Sequence, residues 1–136
     1  MKKITILLFT LACFKGYSQS KETEVINLIS NMTAQFTLNN TTSKVTLVLT
    51  GPSDRWFAIG LGVVDGFNMS SGDVVVYTTS LNDRNFVGTQ TPAVDASQDW
   101  TTVSNNENTT TGIRTLTLER ALTNSDTNDF QLPYAS

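Results

Sequence analysis

Apolar residues recur at every second position along much of this chain, and helical spacing is nearly absent. Val45, Leu47 and Leu49 alternate with Lys44, Thr46 and Thr50, which predicts a strand with one buried and one wet face. Residues 55–62 carry Trp56, Ala58 and Gly60 on one face and Phe57, Ile59 and Leu61 on the other. Both faces are apolar, so this segment reads as a central strand. Residues 72–79, with Val74, Val75, Val76 and Tyr77, predict another well-covered strand. Shorter strands are expected at 84–88 and at 99–104, the second anchored by Trp100. A long strand at 113–121 places Leu116 and Leu118 on one face. Gly51-Pro52-Ser53-Asp54 is a turn, since proline presets φ and aspartate caps the backbone locally, while 105–112 and 123–130 read as loops. Seven or so short strands with turns between them predict an all-β fold, a two-layer antiparallel β-sandwich of Ig-like type.

The N-terminus has a different pattern. Lys2 and Lys3 precede the apolar run 4–14, and Gly16-Tyr17-Ser18-Gln19 follows, which is the layout of a bacterial secretory signal peptide. Gly16 and Ser18 suit cleavage after Ser18, and cleavage after Gln19 suits equally, so 1–19 is taken as the signal and 20–136 as one domain. The run is too short to span a bilayer, which takes about 20 residues. The expected location is therefore secreted, periplasmic or on the cell surface, with no transmembrane segment in the mature chain. Leu11-Ala12-Cys13 half satisfies a lipid-attachment box, but Thr10 stands where leucine is usual, so ordinary cleavage is the preferred reading.

Composition then narrows the chemistry. Cleavage removes Lys2, Lys3 and Lys15 from nine basic residues and none of the twelve acidic ones, which takes the net charge from −3 to −6. Such a surface is a poor partner for nucleic acid or anionic lipid. The single cysteine is Cys13 and there is no histidine, so the mature chain has no disulfide, no thiolate nucleophile and no covalent haem site. No nucleophile elbow, phosphate-binding glycine loop or metal-ligand triplet is present, and a glycosidase-like pair such as Asp73 and Asp99 is not singled out by anything. The chain reads as a binding module and not an enzyme.

Three segments taken together resemble the DOMON domain, the β-sandwich found beside dopamine β-monooxygenase and as the cytochrome domain of cellobiose-dehydrogenase-type proteins. They are Trp56 to Gly62 (aromatic-x-Ala-x-Gly), Met69 to Val76 (Met-x-x-x-Asp leading into a hydrophobic strand), and Arg120-Ala121-Leu122-Thr123 followed by Asp126 and Asp129. The match covers roughly residues 34–132. The resemblance implies a sandwich of ten or eleven strands that holds a ligand at one end, in cytochrome members a b-type haem between an axial methionine and an axial histidine. Met69 stands at the methionine position, and Trp56 and Phe67 are the aromatics expected near the ligand. A thioether paired with imidazole favours Fe(II) and suits single-electron transfer to an extracellular redox partner.

This sequence has no histidine, so a complete axial pair would need residues beyond Ser136, and the chain is expected to be truncated at its C-terminus. Two alternatives stay open: a carbohydrate-binding module using an exposed tryptophan, or a structural or adhesive surface domain without cofactor. Read without the resemblance, Trp56, Trp100, Phe57 and Phe67 default to core and Met69 to a flexible gap-filler. Met32 reads as packing. Asp126 and Asp129, with Ser125 and Asn128, lack the order of an EF-hand and read as turn caps.

Overall fold

In a computed structural model of the chain, the residues described are 19–63, 69 and 71–134. The signal-peptide reading of 1–19, Cys13 and Phe67 fall outside them, Gln19 apart. The described residues form ten strands and no helix: β1 (Ser20–Glu22), β2 (Ile26–Ile29), β3 (Met32–Asn39), β4 (Lys44–Pro52), β5 (Phe57–Leu61), β6 (Asp73–Tyr77), β7 (Leu81–Asn85), β8 (Ala93–Val94), β9 (Thr101–Asn108) and β10 (Ile113–Ala121). No helix among them is long and apolar enough to cross a membrane.

They make two antiparallel sheets. One runs β1-β3-β4-β10-β9, with β2 also pairing β3, and the other runs β5-β6-β7-β8. Inward positions meet in register across the larger sheet: Phe36 faces Leu47, Ala34 faces Leu49, and Leu49 and Leu47 face Leu116 and Leu118. Phe57, Ile59, Leu61, Val75 and Tyr77 cover them from the smaller sheet, and Met32, Trp100 and Leu122 complete the core. This is the expected two-layer β-sandwich, and each side chain of that size contributes about 1.5–3 kcal/mol of hydrophobic stabilisation. Gly51 lies on the inward row of β4. A Cβ there would stand 2.4 Å from the Phe57 ring, so glycine is what lets the sheets close over that phenylalanine.

Several elements differ from the sequence expectation. β5 is an edge strand of its sheet and not a central one. Its outer residues are apolar for another reason, given below. β7 occupies Leu81–Asn85 and not 84–88, because Asn82, Asp83 and Asn85 hide the strand signal. β9 continues through Asn108, so half of the expected 105–112 loop is strand. It is a polar edge strand with nothing to alternate against, a common way of keeping an edge from pairing with other chains. β4 runs to Pro52, and the turn that follows is Ser53-Asp54. The strand at 113–121 and the loop at 123–130 are as expected.

Candidate functional site

Two features stand out, one on the outer face of the smaller sheet and one between the sheets. The outer feature is a groove of about 640 Å³. Alternation sends Ala58 and Gly60 of β5, Val74 and Val76 of β6 and Arg84 of β7 away from the core, and register sets them side by side. Val74 and Val76 are buried yet lie outside the core cluster, which places their cover on this outer side. Phe86 supplies part of it: a Cβ on Gly60 would come within 2.9 Å of its ring. Trp56, Met69 and the segment from Thr89 to Pro92 form the walls.

Trp56 is 67% exposed, against the default that a strand aromatic packs in the core. Met69 is half-buried and has φ of 43°, a left-handed conformation unusual for a side chain of this size. Its carbonyl accepts the amide of Gly88 at 2.9 Å, and the Gly72 carbonyl accepts that of Phe86, so the chain leading into β6 is tied to the segment that leaves β7. Arg84 donates from Nη1 to the Pro92 carbonyl at 2.9 Å, and its buried Nε has no partner among the described residues. Trp56 and Met69, separate in sequence, therefore share one apolar groove with one guanidinium. The groove is on a sheet face and not at the end of the sandwich. Its residues fit one side of a haem: a thioether, an aromatic wall, small residues beneath and a cation for an acidic edge. With no histidine among 136 residues, the chain does not supply a methionine–histidine pair.

The second feature lies between the sheets. Arg120 follows Leu116 and Leu118 on the inward row of β10, opposite Val45, and is buried. Its guanidinium pairs with Asp73 Oδ2 at 3.2 Å and Asp129 Oδ2 at 3.1 Å and lies over the Trp100 ring at 4.7 Å. It also donates to the Phe130 carbonyl. Asp83 completes the group from β7 and is 1% exposed. Asp129 is held inward by its loop. Gln131 donates to Asn124 Oδ1 and to the carbonyls of Asp126 and Asp129, and Asn124 donates to the Asp129 carboxylate. Gln98 fixes β7 in turn, accepting the Asp83 amide and donating to its carbonyl.

Burial raises the carboxyl pKa of all three aspartates, because the charged form loses water. Asp83 is pushed to about 8, with repulsion from Asp73 and Asp129 adding to burial. Asp129 is pushed to about 6, against the hydrogen bond from Asn124 and the charge of Arg120. In Asp73 the burial effect exceeds the pull of Arg120.

In the sequence Asp73, Arg120 and Asp129 lie in separate segments, and Asp129 is not the turn cap that its neighbours suggest but a buried member of this cluster. Nothing local in the sequence singles out Asp83. The readable signal was parity: Arg120 continues the Leu116, Leu118 row, which puts a charge at a core position. Comparison with protein-family models, with curated proteins and with solved structures finds no match.

Proposed function

We propose that this chain is a non-catalytic binding module, acting outside the cytoplasm, whose groove takes a flat apolar molecule with an acidic edge, haem being the instance that the DOMON resemblance suggests. The observation that carries this reading is that Trp56, Met69 and Arg84 meet in one apolar groove over Ala58, Gly60, Val74 and Val76. Concave apolar surface with a few placed polar groups is the usual make-up of a small-molecule site. Among the described residues of the groove Met69 is the candidate iron ligand, and Arg84 would hold a carboxylate. When bound, haem supplies one-electron chemistry and an extracellular redox partner would exchange those electrons. A histidine to partner Met69 is not among these 136 residues.

Titration of haemin into the purified chain, followed by absorbance, tests the proposal. A saturable Soret shift at one equivalent is expected, lost in Met69→Ala and weakened in Trp56→Ala and Arg84→Gln. A wild-type spectrum that stays that of free haemin, or a shift indifferent to Met69, sinks the haem reading. The exposure of Trp56 favours one second reading, a stacking platform for a sugar. That reading requires glycan binding that Trp56→Ala abolishes and Met69→Ala leaves intact.

A further inference from the structure

We propose that Asp73, Asp83 and Asp129 bind a divalent cation of the calcium type between the two sheets, at a site separate from the outer groove. The first support is spacing. Each aspartate offers one carboxylate oxygen, and these oxygens lie within 4.8 Å of one another. Calcium–oxygen bonds of about 2.3–2.6 Å let one ion touch oxygens about that far apart.

The second support is the set of oxygens left without a donor. Arg120 engages Oδ2 of Asp73 and of Asp129. Oδ1 of both residues is buried without a hydrogen-bond partner, and so are both oxygens of Asp83. Asn85, across the ladder from Asp73, adds a buried amide oxygen in the same condition, its nitrogen already donating to Asp95. Buried polar atoms are nearly always partnered, and here five orphan acceptor oxygens outnumber three orphan donor nitrogens, Arg120 Nε and Nη1 and Trp100 Nε1, which marks a shortfall of positive charge.

Charge gives the same answer. Arg120 is the basic side chain paired with this cluster, so three carboxylates and one guanidinium leave two negative charges uncompensated. A divalent ion cancels them. The nearby Asp95 and Asp126 form a second close group with Asp129 and deepen the negative potential. The donors are all hard oxygens, with no imidazole and no thiolate, which selects calcium over the transition metals. Irregular packing of strand and loop ligands suits calcium better than the strict octahedron of magnesium. One cleft, of about 250 Å³, reaches the cluster from solvent and touches Asp73, Asn85 and Asp129.

The test uses the full chain stripped with chelator. Adding Ca²⁺ is expected to raise the unfolding temperature. Asp83→Asn keeps the shape and removes one charge. It is expected to stabilise the metal-free protein and to weaken calcium binding about tenfold or more, so the same substitution helps without the ion and harms with it. Terbium, a luminescent stand-in for calcium, gives a second readout. Its emission should be sensitised through Trp100, survive Trp56→Phe and vanish in both Trp100→Phe and Asp83→Asn. A wild-type protein whose unfolding temperature is indifferent to millimolar Ca²⁺ and which shows no sensitised terbium emission overturns the proposal, and the cluster is then a proton-sharing structural element. A calcium effect that persists undiminished in Asp83→Asn overturns it as well, since the ion then sits elsewhere.

Discussion

The space between the sheets has an apolar end and a charged end, built from the same strands. Reading inward positions along β10 gives Leu116, Leu118, Arg120; along β6, Tyr77, Val75, Asp73; along β7, Leu81, Asp83, Asn85. Each row passes from hydrocarbon to charge in the same direction. At the apolar end, stabilisation is proportional to area and indifferent to direction, and the Phe57 and Tyr77 rings meet at 5.6 Å between centroids. At the charged end, burial itself is unfavourable and every group depends on a named partner. One end makes the sandwich stable. The other makes it conditional, on protons or on a cation.

The largest expected effect follows from removing Arg120, the guanidinium paired with those carboxylates. Arg120→Met should cost about 3–5 kcal/mol at neutral pH in chelated protein, since it strands buried charges. Leu118→Ala at the apolar end should cost about 2–5 kcal/mol through lost contacts and a cavity. The magnitudes overlap, so the distinguishing measurement is urea unfolding at two pH values. The Arg120 loss should shrink toward pH 4, where the aspartates bind protons, and the Leu118 loss should not. Equal pH behaviour would show that the two ends do not differ as argued.

The wild-type chain should show the same asymmetry. Carboxyls with raised folded-state pKa favour folding below their unfolded value near 3.8 and lose that contribution as pH rises through the folded value. Chelated protein should therefore become less stable from about pH 4 upward, through the Asp129 value of about 6 to the Asp83 value of about 8. Besides one another, the charged groups facing this cluster are Arg120, Asp95, Asp99 and Asp126. Stability that rises over this window would contradict the reading.

Each end also rests a ring against a glycine, and the two substitutions should rank. Gly51→Ala drives a methyl into Phe57, which is buried and cannot move aside, at about 1–3 kcal/mol. Gly62→Ala meets Phe130, which is 42% exposed and can swing outward, so its cost is mainly the backbone at φ of 65°, about 1 kcal/mol. Chemical denaturation of the two variants, with the order reversed, would show Phe130 to be as confined as Phe57.

How far the sequence disclosed this arrangement depends on whether a residue's surroundings repeat at short range. The rows in 44–52 and 113–121 alternate because each strand has one wet face, and both were readable. β9 was not, because an edge strand with polar residues on both sides has no contrast to detect. β5 misled in the opposite sense: two apolar faces suggested a central strand, whereas the outer one floors a groove. The charged end was hidden because its members lie 10, 37 and 9 residues apart in sequence, between Asp73, Asp83, Arg120 and Asp129, and only sheet pairing with loop folding brings them together.

The smallest expected effect on stability is also the most useful one. Trp56 has the largest ring on the outer face, yet with 67% of it in solvent, little area is at stake and nothing buried loses a partner. Trp56→Ala should change unfolding free energy by no more than about 0.5 kcal/mol, within the range of ordinary surface substitutions. A tryptophan core residue would cost about 3–5 kcal/mol instead, as Trp100→Ala should, given its burial and its stacking on Arg120. An exposed aromatic that contributes almost nothing to folding, set beside a methionine held at positive φ, is what the proposed ligand groove predicts. Should Trp56→Ala prove as damaging as Trp100→Ala, the outer face is ordinary packing, and the case for a ligand groove goes with it.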